Sequence, residues 1–323
     1  MSLPDASQER LALAYYYIWF TKGWFDGSDT PSLKAAMSDI HPTIGAYDSH
    51  DEEVITAHMG QCVDANLDAL AVSFYHGKRN IGTDGNRDGA HYHDILESVM
   101  NIGHEHGLRI CIDLEAAALP DADKLYAGMK YYLERYSNDP RTLHAEGKPV
   151  MLCWSTWLLG VGVWNDVTAK LRSEGLEGFY VASNQMETDY LSFLDALECY
   201  TPLHTTETVM EQYTRIRSEV DAYNESHDGP PKRWHGTIMP GFDDRCIPKR
   251  LDRDDYAHSR LRRGASYYWE TFAAVMASRA DWLHVTSFNE LAEHSHIEET
   301  IEDGDRFIRL TAEMVKHFKA CVC

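Results

Sequence analysis

Two glutamates near the end of the sequence, Glu290 and Glu293, have the residue type and the spacing that acid–base chemistry requires. They follow the short apolar run 282–285, so both carboxyl groups fall where a buried strand would end. If the chain turns helically there, residues three apart share one face, with Cβ atoms about 5–6 Å apart. Carboxyl groups this close repel each other, and one should keep its proton near neutral pH. Such a pair is what glycosidic bond cleavage needs, although two acids could equally open a solvent-exposed helix.

The rest of the chain alternates short apolar runs with amphipathic stretches. The eight apolar runs lie at residues 11–20, 67–75, 108–114, 149–155, 178–183, 196–201, 234–239 and 282–288. Continuous runs of this kind are typical of parallel strands that are buried on both faces. Helical patterns lie at 51–66, 91–106, 121–137, 163–174, 187–194, 206–227, 266–279 and, last, near 305–320. At the first of these helices, Asp51 is placed to cap the N-terminus.

Eight strand–helix units predict an α/β fold, a single (β/α)8 TIM barrel that comprises residues 1–323 as one domain. A doubly wound open sheet is the alternative, but no glycine-rich turn follows the first run to support a dinucleotide site. The long connections 21–50, 76–90 and 240–264 all follow strands. In a barrel they would rise from the catalytic face, where long loops after strands form the substrate cleft.

The residues expected at the C-terminal ends of the strands are mainly aromatic and acidic. In chain order they lie at 15–20, 73–76, 113–115, 154–155, 184, 200, 240–245 and 289–290. Aromatic faces can stack on the C–H surfaces of sugars, and carboxylates accept hydrogen bonds from sugar hydroxyl groups. A phosphate site would instead show basic residues and glycine-rich backbone. This composition favours a sugar ligand, although aromatic side chains at strand ends can also simply plug a barrel.

The formal net charge of −21 disfavours nucleic acids and anionic membranes as partners, because their phosphates would be repelled. This acidity fits either ordinary solubility or adaptation to high salt. No run approaches the roughly 20 apolar residues of a membrane span, and the first residues lack the basic and apolar regions of a signal peptide. With seven scattered cysteines, the sequence predicts a cytoplasmic protein. Nothing in the sequence indicates an oligomeric state.

Three histidine pairs raise the question of a metal site. They are His91/His93, His104/His106 and His294/His296, each separated by two positions. On a helix such residues do not face each other, so they make poor joint ligands. No cysteine–histidine set has zinc spacing either. We therefore expect neither a metal nor another cofactor, with a metal-dependent enzyme as an alternative.

Several motifs resemble those of glycoside hydrolase family 99, the endo-α-mannosidase family. The strongest is S-F-N-E-L-A-E-H-S-H-I-E at 287–298, which is similar to the family's S-F-N-E-W-H-E-G-T-Q-I-E. Shorter motifs follow the family's order: Y-Y-I-W at 16–19 with F-D-G at 25–27, G-A-Y-D-S at 45–49 with H-M at 58–59, A-V-S-F-Y at 71–75, D-L-E at 113–115 and P-G-F-D at 240–243. Their shared order makes the set more specific than any one motif.

The resemblance implies a barrel that cleaves α-mannosidic linkages inside an oligosaccharide or polysaccharide and retains the anomeric configuration. It implies that Glu290 deprotonates the sugar 2-hydroxyl, which attacks C1 and forms a 1,2-anhydro sugar. It also implies that Glu293 protonates the leaving oxygen and then acts as a base. This route suits two acids on one turn, because such acids cannot easily flank the anomeric carbon from opposite faces.

The family pattern further implies a sugar pocket at the matching positions of this chain. Its residues are Tyr17, Tyr47, Phe74, Glu115, Tyr200, Phe242, Asp243 and Asn289. The chain departs from the pattern where Leu291 and Ala292 replace Trp and His, Phe74 replaces Trp, and Phe242 replaces Tyr. These changes concern the substrate more than the chemistry. They leave open a related barrel of surface-polysaccharide biosynthesis that acts on another sugar, and a non-catalytic sugar-binding barrel.

Overall fold

Eight parallel strands form a closed barrel in the computed structural model, which describes residues 10–29, 31–76, 89–116, 119, 121–203, 207–245, 247 and 259–321. The strands are β1 (Ala12–Tyr16), β2 (Ala69–Phe74), β3 (Arg109–Glu115), β4 (Lys148–Trp154), β5 (Phe179–Ser183), β6 (Ala196–Glu198), β7 (Arg233–Ile238) and β8 (Trp282–Val285). Each strand pairs with the next along the chain, and Leu13 of β1 pairs with His284 of β8 to close the ring. The predicted (β/α)8 barrel is therefore confirmed, and closure of the ring excludes the open-sheet alternative.

Helices surround the barrel in the described part of the chain. They are α1 (Lys22–Asp26), α2 (Pro31–Ala36), α3 (Glu52–Asp64), α4 (Gly89–Glu105), α5 (Ala122–Tyr136), α6 (Gly160–Ser173), α7 (Val209–Ser226), α8 (Ser266–Ala277) and α9 (Arg306–Ala320). Asp51 caps α3 as predicted, since its carboxylate accepts a hydrogen bond from the backbone N–H of Glu53 at 3.1 Å. None of the helices in the described ranges combines the length and the apolar character needed to cross a membrane.

The predicted helix at 187–194 is wrong, because this connection contains only the 3-10 helix Thr188–Ser192. The chain leaves β5 at Ser183 and must reach the opposite end of the barrel before β6 begins. The backbone N–H of Asp195 already donates to the carbonyl of Tyr180, near the start of β5, at 2.7 Å. An α-helix advances only about 1.5 Å per residue and a 3-10 helix about 2.0 Å, so the short connection favours the more extended form.

Two of the long connections contain structure that the sequence patterns do not show. The connection after β1 carries α1 and α2, which are too short to give a periodic apolar pattern. The connection after β7 carries an antiparallel pair between Phe242–Asp243 and Ser259–Arg260. Most of the predicted loop at 76–90, and residues 248–258 of the third loop, lie outside the described residues.

Side chains of the strands alternate between two packed layers. On β2, Leu70, Val72 and Phe74 belong to the cluster between barrel and helices, whereas Ala69 and Ala71 belong to the cluster inside the barrel. Aromatic rings fill that interior, among them those of Phe179 and Trp282, whose centroids are 5.9 Å apart. Small residues on β2 therefore leave room for large rings from other strands.

Candidate active site

The two predicted catalytic acids lie on a closed loop, residues 287–298, which we call the acid loop. It does not turn helically, because its backbone hydrogen bonds join its two ends. The N–H of Ser287 donates to the carbonyl of Ser295 at 2.9 Å, and the N–H of Ile297 donates to the carbonyl of Ser287 at 3.0 Å. The N–H of Phe288 donates to the carbonyl of Tyr15 at 2.8 Å, which fastens the loop to β1. The two acids are thus placed by loop closure and not by helical spacing.

Glu290 lies deeper in this loop than Glu293. Glu290 is only 4% exposed, and its backbone N–H donates to the hydroxyl of Ser287 at 2.8 Å. Glu293 is partly exposed, and its carbonyl accepts a hydrogen bond from the N–H of Asp243 at 2.7 Å. The loop therefore presents one carboxyl group towards the interior and a second one nearer to solvent.

A pair of tyrosines lies within electrostatic reach of both acids. The hydroxyl groups of Tyr17 and Tyr200 are hydrogen-bonded at 2.6 Å, with both side chains buried. Burial raises the pKa of Tyr17 well above its usual range, and Tyr200 and the charges of Glu290 and Glu293 raise it further. Burial likewise raises the pKa of Tyr200, with further contributions from Glu293 and then Glu290. Both carboxylates therefore lie close enough to act electrostatically on both phenols, so the structure brings these four residues together.

Asn289 connects the acid loop to the residue that follows β1. Its side-chain oxygen accepts a hydrogen bond from the N–H of Tyr17 at 2.8 Å, and its amide nitrogen donates to the carbonyl of Tyr17 at 2.9 Å. Asn289 is completely buried. These two hydrogen bonds hold Tyr17 beside the acids, and contact of Asn289 with a sugar stays a prediction.

Tyr47 takes part in a buried network behind the acid loop. Its hydroxyl donates to one oxygen of Glu298 at 3.0 Å, and the other oxygen of Glu298 lies 3.1 Å from Nε2 of His58. Nδ1 of His58 lies 3.0 Å from the hydroxyl of Tyr16. These four residues are buried, and they join the end of the acid loop to α3 and β1. The structure thus places Tyr47 against Glu298, and its predicted sugar contact stays a prediction.

Glu115 ends β3 on the same side of the barrel. The hydroxyl of Ser73 donates to its carboxylate at 2.7 Å, and the residue is 7% exposed. Two residues earlier on the same strand, burial raises the pKa of Asp113 well above its usual range, and the charges of Glu115 and Glu198 raise it further. The mouth of the barrel at β3 is therefore acidic, and burial disfavours the charged form of Asp113.

One acid near the site, Glu198, is not among the residues predicted from the sequence, and it is completely buried at the end of β6. Burial raises its pKa to about 7, although the hydroxyl of Thr237 and the backbone N–H of Asn184, which bind its carboxylate, work against this rise. A charged residue inside the apolar run 196–201 was the available signal. It could not show that the strand turns this side chain into the barrel.

The structure does not bring Phe74 to the tyrosine pair. Its ring lies in the layer between barrel and helices, where it packs edge-on against His93 at 4.9 Å. Phe242 is also buried in that layer. Asp243 binds Arg245 through two hydrogen bonds of 2.9 and 2.6 Å, and this contact lowers the pKa of the aspartate. For these three residues, sugar contact stays a prediction from the resemblance.

Two tryptophans extend the site outwards. The ring of Trp19 lies 4.5 Å from that of Tyr17, and the ring of Trp154 lies 5.1 Å from that of Tyr200. Both tryptophans are partly exposed. Within the described ranges, no group of three or more His, Cys, Asp or Glu side chains could hold a metal ion. The site that the structure assembles is therefore made of acids, phenols and indole rings.

Comparison with known proteins agrees with this arrangement. A family model described as "Glycosyl hydrolase family 99" matches residues 24–308. Glycoprotein endo-alpha-1,2-mannosidase of Mus musculus is 21% identical over an alignment of 328 positions, which covers 89% of this chain and 67% of that protein. The corresponding protein of Xenopus laevis is 22% identical over 327 residues, covering 89% of this chain and 69% of its own length.

Solved structures show the same fold. The family 99 endo-alpha-mannosidase of Bacteroides thetaiotaomicron superposes with a TM-score of 0.77 at 19% sequence identity, and the alignment covers 96% of this chain and 97% of that one. A family 113 beta-1,4-mannanase superposes with a TM-score of 0.51 at 12% identity, covering 94% and 99% of the two chains. Because the family model matches most of the sequence, the chain belongs to glycosyl hydrolase family 99 and is, as predicted, a glycosidase.

Proposed function

We propose that this glycosidase cleaves α-mannosidic linkages within a glycan chain, retains the anomeric configuration, and uses Glu290 and Glu293 as its catalytic residues. The names of its relatives, which are endo-alpha-1,2-mannosidases, support the linkage. The observation that carries the mechanism is that both acids lie on one closed loop after β8, within electrostatic reach of the same tyrosine pair.

This placement favours a mechanism in which the substrate supplies the nucleophile. In the ordinary retaining layout, a nucleophile and an acid approach the anomeric carbon from opposite faces, with carboxyl groups about 5–5.5 Å apart. Two acids on a single loop approach the sugar from one wall of the cleft. A nucleophile that the sugar itself supplies, its 2-hydroxyl, removes the need for a carboxylate on the far face.

The first step would leave every proton accounted for. The carboxylate of Glu290 takes the proton of the 2-hydroxyl, whose oxygen forms a bond to C1 as the bond from C1 to the leaving oxygen breaks. The carboxyl group of Glu293 gives its proton to that leaving oxygen. In the second step Glu293 takes a proton from water, whose oxygen forms a bond to C1 as the bond from C1 to the 2-oxygen breaks, and the 2-oxygen recovers its proton from Glu290. Two inversions at C1 give net retention.

The depths of the two acids support this division of roles. Glu290 is buried, so it is the acid that a sugar bound deep in the barrel mouth would meet. Glu293 is partly exposed, as expected of a group that serves the bond towards the outgoing part of the chain and a water molecule. Because the raised pKa values keep Tyr17 and Tyr200 protonated, both phenols can donate hydrogen bonds beside the acids.

The test uses Glu290→Gln, Glu293→Gln and a matched control, Glu299→Gln, on a panel of α-mannoside glycans. General acid–base groups contribute about 10²–10⁴-fold, so each of the first two variants should lose turnover by that order and keep glycan binding. Glu293→Gln should recover its first step on a substrate with a fluoride leaving group, which needs no proton. Glu290→Gln should not recover, and Glu299, partly exposed at the edge of the acid loop, should tolerate the change.

The stereochemistry gives a second readout. Proton NMR of the first-formed product should show the retained α-anomer, and a substrate with a methoxy group in place of the 2-hydroxyl should not be cleaved. An inverted first product, cleavage of the methoxy substrate, or full activity in either glutamate variant would overturn the mechanism. If the enzyme cleaves only a glycan of another sugar, the mechanism would stand and the substrate would be that sugar.

A further inference from the structure

An exposed tryptophan stands beside the candidate active site. Trp157 is 45% exposed and its neighbour Leu158 is 58% exposed, in the 3-10 helix Thr156–Leu158 that directly follows β4. Two adjacent large apolar side chains at the surface form an exposed apolar patch that a ligand could cover. The proposed cleavage chemistry does not use either of them.

The structure fixes the short helix that carries this ring. The indole N–H of Trp164 donates to the carbonyl of Thr156 at 3.0 Å, and the side-chain amide of Gln185 donates to the hydroxyl of Thr156 at 3.3 Å. Thr156 itself is completely buried. Trp157 is therefore presented in a defined place, and little conformational entropy would be lost if a ligand covered its ring.

Ring contacts connect Trp157 to the acids. Its ring lies 5.7 Å from that of Trp154, whose ring in turn lies 5.1 Å from that of Tyr200. Tyr200 is the phenol on which both Glu293 and Glu290 act. Strands β4 and β8 are the fourth and the eighth of an eight-stranded ring, so they stand opposite each other. The aromatic row therefore leads from the wall opposite the acids to Tyr200, which follows β6 and lies within electrostatic reach of both acids.

We propose that Trp154 and Trp157 form a remote sugar-binding subsite, which we call the tryptophan platform. It would take a neutral hexose unit of the same glycan chain, away from the bond that is cut. Indole faces bind the C–H surface of such a unit, and the net charge of −21 favours a neutral glycan over an anionic one. The proposal rests on the proposed function, and it adds that the enzyme binds long substrates more tightly than short ones.

The test is a length series. Linear α-linked manno-oligosaccharides from mannobiose to mannopentaose are digested by the wild type, Trp157→Ala and Trp157→Phe. Trp157→Ala should raise KM about tenfold for the longest substrates and leave the shortest cleaved substrate unchanged, because only a long chain reaches the platform. Trp157→Phe, which keeps a ring, should recover most of that loss.

A matched control excludes a general effect of removing a surface tryptophan. Trp269 is 40% exposed on α8, in the helical layer, and Trp269→Ala should leave all KM values unchanged. An unchanged KM for every length in Trp157→Ala, or an equal loss for every length, would overturn the proposal.

A binding experiment separates this proposal from the proposed function. If the wild type cleaves none of the oligosaccharides, the proposed function fails, and a glycan array probed with the wild type and Trp157→Ala then tests the platform alone. Weaker retention of long glycans by Trp157→Ala supports the platform. Identical array profiles, or no binding by the wild type, overturn it.

Discussion

At the scale of single residues, the interior of the barrel holds an acid with an unusual proton affinity. Glu198 is completely buried, and burial raises its pKa from 4.5 to about 7. The hydroxyl of Thr237 and the N–H of Asn184 donate to its carboxylate and offset only part of the cost of burying the charge. Between pH 4.5 and about 7 this side chain is therefore mostly neutral in the folded protein and mostly charged in the unfolded one.

This difference predicts how stability depends on pH. The folded pKa is raised, so the unfolded state loses its proton first, and ionisation favours unfolding. The stabilising contribution is fully present below pH 4.5 and is lost as the pH rises towards about 7. Over that window the free energy of unfolding of the wild type should fall by up to about 3 kcal/mol relative to Glu198→Gln. Urea unfolding of both proteins across this range measures it.

An exposed glutamate provides the control. Glu313 lies on the solvent side of α9. For Glu313→Gln, the free energy of unfolding plotted against pH should run parallel to that of the wild type. If the curves of the wild type and Glu198→Gln also run parallel from pH 4.5 to 7, Glu198 does not titrate in the way that its burial implies.

At the scale of elements, the acid loop depends on contacts with the segment after β1. Glu298 at its end binds Tyr47 and His58, and Asn289 near its start binds the backbone of Tyr17. These contacts are buried, so each one is costly to break. The position of the two acids is therefore set by residues that are distant from them in sequence.

A double-mutant cycle tests whether Tyr47 acts through Glu298. Tyr47→Phe and Glu298→Leu should each lower the free energy of unfolding by about 1–3 kcal/mol, because each leaves a buried polar group without its partner. The double variant should lose clearly less than the sum of the two, in stability and in kcat/KM. Additive losses in kcat/KM would instead indicate that Tyr47 contacts the sugar directly, as the resemblance implies.

The elements were more predictable than the site. Continuous apolar runs identify all eight barrel strands, because strands buried on both faces cannot alternate with polar residues. The 3-10 helix Thr188–Ser192 was not predictable, since its form follows from how far the connection has to reach. Likewise, the spacing of Glu290 and Glu293 indicates a pair of acids, but only the backbone hydrogen bonds that close the loop show how this segment is folded. The places of Glu198 and Trp157 in the structure could not be predicted, because they depend on the direction in which a single side chain points, and no local sequence pattern encodes that direction.

At the scale of the whole molecule, charge is the dominant property. The net charge is −21, and the 51 acidic residues face only 30 basic ones. Many of the ion pairs, such as Arg215 with Glu207 and Lys148 with Glu177, lie near the surface, where each contributes little. The excess of negative charge repels itself across the folded molecule, and unfolding relieves this repulsion because the charges move apart.

Salt should therefore stabilise the protein. Raising NaCl from about 0.1 M to about 1 M shortens the screening length from about 10 Å to about 3 Å and should raise Tm by about 5 °C, because the repulsion is screened. The rise should be smaller near pH 5.5 than near pH 7, because exposed members of the 17 histidines gain a proton at the lower pH and reduce the net charge. Differential scanning calorimetry at both pH values measures the effect. A Tm that does not respond to salt, or an equal rise at both pH values, would show that self-repulsion does not limit the stability of this fold.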